Sequence, residues 1–214
     1  MTDITLLLPD DSTISCHKLV LVASSSFFET MFHSGMKESI DKYIKLEFSD
    51  ADTIRKLVEF IYSGEINVNE DNVQTLVAAS EFLLMRDLKA YCEDFLTTLI
   101  RSSNHQELCT FGKKFNLKNL LSSAHDFYLS HFMEFVEKPA FEALTEEQLV
   151  EVISDDRLNA ENEDIVFTSV VRWVNVDPEQ RKEAFPRIAP FIRFPLCTQK
   201  TLSMNVIWEP LMWN

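Results

Sequence analysis

Hydrophobic positions change their repeat along the chain, and the repeat marks the elements. From Tyr43 to Phe48 they alternate, with Ile44, Leu46 and Phe48 on one side and Lys45 and Glu47 on the other. A two-residue period of this kind predicts a half-buried strand. Asp3 to Leu8 is a short extended run closed by Pro9-Asp10-Asp11-Ser12, a turn by composition, and Thr13 to Cys16 can return as the second arm of a hairpin. Ser24 to His33 carries Phe28, Met31 and Phe32 at helical spacing, and Gly35 stands where a left-handed C-terminal cap is needed. The next helix begins near Asp50. Its Ile54, Leu57, Val58, Ile61 and Tyr62 recur three and four residues apart, and it closes at Ser63-Gly64. Asn69 then precedes Glu70 and Asp71, acidic residues suited to a first helical turn, and Val73, Leu76, Val77 and Leu84 supply an apolar side. Asp87 can cap a further helix with an apolar stripe of Leu88, Tyr91, Cys92, Phe95, Leu96 and Leu99. So short a connection predicts a helical hairpin.

After about Arg101 the alternating pattern ends, and six of the seven prolines lie beyond residue 130. Leu108, Phe111 and Phe115 mark one helix, with Gly112 inside it at a cost of about 1 kcal/mol against alanine. Leu120, Leu121, Ala124, Phe127 and Tyr128 mark the next. Asn162-Glu163-Asp164 opens a helix whose Val166, Phe167, Val170, Val171 and Val174 are core candidates, and Pro186, Pro190 and Pro195 cut the remainder into short pieces. An α+β domain over 1–102 followed by an all-α domain of helical hairpins over 103–214 is predicted, the latter opening with a helical pair over 103–130.

Charge and composition narrow the chemistry. A net charge of −14 repels phosphate backbones and anionic lipid, which argues against nucleic acid and membrane surfaces as ligands. Solubility is the plain reading of that charge and a basic protein partner the sharper one. Three glycines are too few for a phosphate-cradling loop. Cys16, Cys92, Cys109 and Cys197 form no CxxC pair and no zinc spacing, and reduced thiols fit the cytosol or the nucleus. No apolar run reaches the ~18–20 residues of a membrane span, and the opening Met-Thr-Asp-Ile is not followed by the basic and apolar regions expected of a signal peptide. His17, His33, His105, His125 and His131 show no nucleophile–base–orienter arrangement. No catalytic residue, cofactor or metal is expected.

Specific runs carry a family likeness. Asp3-Ile4-Thr5-Leu6, His17-Lys18-Leu19-Val20-Leu21, Ser25-Ser26-Phe27-Phe28, Met31-Phe32, Phe60-Ile61-Tyr62-Ser63-Gly64 and Ala78-Ala79 through Met85 resemble a BTB/POZ domain in order and spacing. Ser154-Asp155-Asp156-Arg157-Leu158-Asn159, Trp173-Val174, Asp177-Pro178-Glu179-Gln180-Arg181 and Ile192-Arg193-Phe194-Pro195-Leu196 are similar to a BACK domain of the Kelch-like type, which normally ends where Glu209-Pro210-Leu211 falls. The 103–130 pair matches the place of the family's 3-box.

The resemblance implies a non-enzymatic substrate adaptor of a cullin-3 RING ubiquitin ligase, with the BTB domain docking the cullin N-terminal domain. Met36-Lys37-Glu38 matches the family's apolar-x-Glu contact signature, and Tyr62 at the edge of its core stripe is a further candidate contact. The alternative local reading has Met36 covering a helix end and Glu38 solvated. Asp3 and Lys18 match a charged pair at the family's dimer seam, which implies a homodimer; an ordinary surface pair is the other reading. The family's helix before the first strand is not seen, nor is its substrate-capturing Kelch propeller, so the substrate is left unknown. A scaffold, or a competitor that occupies cullin-3 without delivering substrate, is the alternative function.

Overall fold

The computed structural model describes residues 2–34 and 41–213. They divide into two compact units, 1–100 with 108–121 and 101–107 with 122–214. The first is α+β and the second helical.

The first unit is built on a three-stranded sheet of order β2-β1-β3. Strands β1 (Ile4–Leu7) and β2 (Thr13–Cys16) form the expected antiparallel hairpin, Ile4 opposite Cys16 and Leu7 opposite Thr13. The turn closes through Leu8 N–H donating to Ser12 O at 2.9 Å, with Asp11 in a left-handed conformation (φ 62°). Strand β3 (Tyr43–Lys45) lies parallel to β1, Thr5 opposite Tyr43. Alternation decides the faces: Ile4, Leu6, Leu8, Ile44 and Leu46 are all buried, while Tyr43 and Lys45 are exposed. The regular strand stops short of the predicted Phe48. Leu46 N–H still donates to Leu7 O at 2.9 Å, but Phe48 turns away to stack on Phe82, with ring centroids 4.5 Å apart.

Between β2 and β3 the chain forms two described helices, α1 (Lys18–Ser24) and α2 (Ser26–His33). Ser24 therefore closes α1 and does not open α2, as its composition had suggested. The break falls on Ser25, in extended conformation, whose Oγ accepts from Phe28 N–H at 3.4 Å and donates to Leu83 O at 2.5 Å. Helix α3 (Ala51–Ser63) is capped by Asp50 and ends at Gly64, left-handed at φ 74°, as predicted. Helix α4 (Val73–Phe82) begins a turn later than expected: residues 70–72 form a turn, in which the Asn69 side chain accepts from Asp71 and Asn72 N–H at 3.1 Å in the manner of a cap and Val73 N–H donates to Asn69 O at 3.0 Å. Leu84, expected in its apolar stripe, takes φ 56° in the following turn and stands 51% exposed. Helix α5 (Arg86–Thr98) packs beside α4. Met85, not Asp87, is its N-cap residue, and Tyr91 projects outward from the stripe.

Helices α6 (His105–Phe115) and α7 (Lys118–Ser130) follow. Leu108, Leu117 and Leu120 are buried in the core of the first unit, which is why 108–121 packs with it. In the second unit, Phe132, Phe141, Phe167 and Phe185 are almost wholly buried. Helix α8 (Phe132–Val136), helix α9 (Pro139–Glu142) and helix α10 (Glu146–Ser154) lead to the long α11 (Glu163–Val176). Thr145 and Gln148 close a reciprocal capping box on α10, and Asn162 caps α11 through Ile165 N–H at 3.1 Å. Val166, Phe167, Val170 and Val174 are buried as predicted, and Val171 is half-buried. Beyond α11 the prolines leave only short turns of helix, Pro178–Arg181 and Phe185–Ile188 among them.

Candidate partner-docking site

The candidate contacts lie in the first unit. Tyr62 sits in the last turn of α3, 46% exposed. Its hydroxyl accepts the His17 backbone N–H at 2.7 Å and lies 3.0 Å from His17 Nδ1. Burial of the hydroxyl end raises the phenol above its ordinary range, opposed by the His17 N–H. His17 is the N-cap residue of α1, yet its own side chain caps nothing there.

Asp3 does that work from a distance. Its carboxylate accepts the Lys18 backbone N–H, the first of α1, at 2.8 Å, and its own N–H donates to Cys16 O at 3.1 Å. An acidic group at a helix N-terminus also meets the positive end of the helix dipole. The two seam candidates are thus brought together through Lys18's main chain, and the Lys18 ammonium lies 5.1 Å from the Phe32 ring centroid. Asp3 is exposed and Lys18 half-buried. Next to them Leu19 is 79% exposed while Leu21 is fully buried. Met36 and Glu38 lie outside the described residues.

Two further features escaped the sequence. Phe27, Phe82 and Phe48 form an aromatic row, with centroids 4.9 and 4.5 Å apart, and Phe82 is 46% exposed at its centre. The three come from separate elements, so no local pattern could have joined them. A groove of about 620 Å³ also runs between the end of α1, the start of α2, the end of α3 and the α4–α5 turn. Ile61, Gly64 and Leu84 line it together with the charged Glu29, Arg86 and Asp87.

Among the described residues no group of three or more His, Cys, Asp or Glu is placed to hold a metal, and no helix is long and apolar enough to cross a membrane. The thiols are held in the neutral form by burial, which pushes Cys92 up to about 12 and Cys197 up to about 11. Half-buried His105 is shifted down by desolvation, and its Nε2 lies 2.9 Å from Ala124 O.

Residues 1–100 match the family model of the BTB/POZ domain, and residues 105–206 match BACK, "BTB And C-terminal Kelch". The two matches account for nearly the whole chain, which belongs to the proteins that join a BTB/POZ domain to a BACK domain. Within that class it is similar to Kelch-like proteins. It is 34% identical over 214 residues to Kelch-like protein 2 of Homo sapiens, covering 100% of this chain and 36% of that protein. It is 35% identical over 210 residues to Kelch-like protein 3 of Danio rerio, covering 98% and 35%. The chain thus spans about a third of the length of these curated relatives. Among solved structures, the BTB domain of human Gigaxonin aligns at 33% identity and a TM-score of 0.40, over 44% of this chain and 76% of that one.

Proposed function

We propose that this chain is a non-enzymatic adaptor of a cullin-3 RING ubiquitin ligase and docks the cullin N-terminal domain through its BTB domain. The observation that carries this reading is the succession of BTB and BACK domains, similar throughout to Kelch-like proteins, with Met36-Lys37-Glu38 following α2. An unbranched methionine fills an irregular apolar pocket, and a glutamate two positions on can fix register against a donor. Tyr62 is the third proposed contact. Ubiquitin chemistry then belongs to the cullin, the RING protein and the charged E2, and the substrate is a protein held elsewhere in the assembly. We further propose a homodimer seated near Asp3, Lys18 and exposed Leu19, and residence in the cytosol or nucleus.

Titration with the cullin-3 N-terminal domain tests the docking. Wild type should bind, and Met36→Ala and Glu38→Ala should each lose ~1–3 kcal/mol if they are anchors. Unchanged affinity in both variants overturns the site, and no binding by wild type overturns the function. A strictly monomeric mass at high concentration would sink the dimer.

A further inference from the structure

Tyr62 has two ends in different circumstances. The hydroxyl is used inside the chain, since it accepts the His17 N–H at 2.7 Å and faces Nδ1 of the same residue at 3.0 Å. A phenol has one proton to give. With the main-chain N–H already pointing at its oxygen, that proton is directed to Nδ1 when the imidazole carries its hydrogen on Nε2. In that tautomer the phenol proton is taken up inside the chain, where the Cys16 thiol also lies against the hydroxyl, and none remains to donate outward.

The ring is in the opposite state. Tyr62 is 46% exposed, and the His17 ring stands 6.0 Å away at a 53° tilt, too far and too inclined to stack over it. His17 is available for this pairing because Asp3 performs the helix-capping role at α1 that an N-cap side chain usually fills.

We propose that His17 is a positioning residue of the docking face. Its amide and imidazole hold the Tyr62 hydroxyl, so that a partner meets Tyr62 as an oriented aromatic ring receiving an apolar side chain, not as a hydrogen-bond donor. The proposal rests on the docking reading above and adds what Tyr62 offers there and what sets it.

The test is a titration with the cullin-3 N-terminal domain, at a temperature where circular dichroism shows every variant folded. Tyr62→Ala should weaken binding about tenfold or more, because the ring is lost. Tyr62→Phe and His17→Ala should each weaken it by about three- to fivefold, and Tyr62→Phe should lose less in the His17→Ala background than in wild type, since the two residues act as one unit. His17→Asn, which again presents an acceptor to the hydroxyl, should bind within about twofold of wild type. A purely structural role for His17 would lower thermal stability and leave these affinities unmoved, which would overturn the proposal. An equal Tyr62→Phe loss in both backgrounds would also overturn it, by making the hydroxyl a direct partner contact. Should wild type not bind, the docking reading fails and this proposal with it. The clamp itself is read separately, as slow exchange of the His17 amide in wild type and fast exchange in Tyr62→Phe.

Discussion

Gly112 of α6 meets Leu121 of α7 so closely that a Cβ on the glycine would stand 3.0 Å from Leu121 Cδ2 and 3.1 Å from Cγ. The residue that helix propensity penalises is the one that lets the two helices approach. Gly112→Ala should therefore not give the gain of about 1 kcal/mol expected of alanine in a helix. A net loss of roughly 1 kcal/mol is expected, and a larger one, about 2–3 kcal/mol, for Gly112→Val. Urea midpoints check both, and a stabilised Gly112→Ala would refute the close-packing account.

Glu93 ties α5 to the start of α7. Its Oε1 accepts Asn119 N–H at 2.6 Å and Leu120 N–H at 3.1 Å, a helix cap supplied from 26 residues away. Glu93→Ala should cost about 1–2 kcal/mol, and Glu93→Gln, which keeps an acceptor, should cost less. Amide exchange at 119 and 120 should quicken in the alanine variant alone.

Asp10 is held down at about 2 by the Ser12 hydroxyl and then by the Arg55 guanidinium. The folded-state value is depressed, so its contribution to stability is complete above the unfolded value of about 4 and is lost as pH falls toward about 2. The difference in urea midpoint between wild type and Asp10→Asn should shrink through that window and stay level above it. A difference that grows on acidification would be the wrong sign.

In the BACK domain Arg181 lies over the Trp173 ring at 4.3 Å and donates from Nη1 to Glu142 O and Trp173 O, both at 2.9 Å. A planar guanidinium can stack and fork at once, and an ammonium cannot. Arg181→Lys should destabilise by about 1–2 kcal/mol despite keeping the charge. Thermal melts of the two proteins decide it.

Cys92 is fully buried on α5 and its thiol is pushed up to about 12. The thiolate is the nucleophile, so alkylation of Cys92 at neutral pH should follow opening of the chain. Its labelling rate should rise with urea, and fast labelling of the native protein would contradict the burial.

Much of this protein could be read from local pattern. Alternation at Ile44 and Leu46 put the right side chains inward, Gly64 closed α3, Asn162 opened α11, and the hairpin at Pro9–Ser12 formed in the expected place. These features depend on residues within a few positions of one another. The break at Ser25 was harder, because the serine that caps α2 is held by Leu83 O, 58 residues away. The turn at Leu84 had no signal, since leucine does not favour positive φ.

Local order therefore settled the class: an α+β unit followed by helices, with BTB and BACK runs in sequence. Closure of the chain settled the surface. Residues 108–121 joined the first unit because Leu108, Leu117 and Leu120 found their burial there. Asp3 became the cap of a helix 15 residues away, and Tyr62 was turned by His17 from 45 residues away. Periodicity records which side of an element is apolar, but a hydrogen bond between distant residues exists only once the fold has brought its two ends within 3 Å.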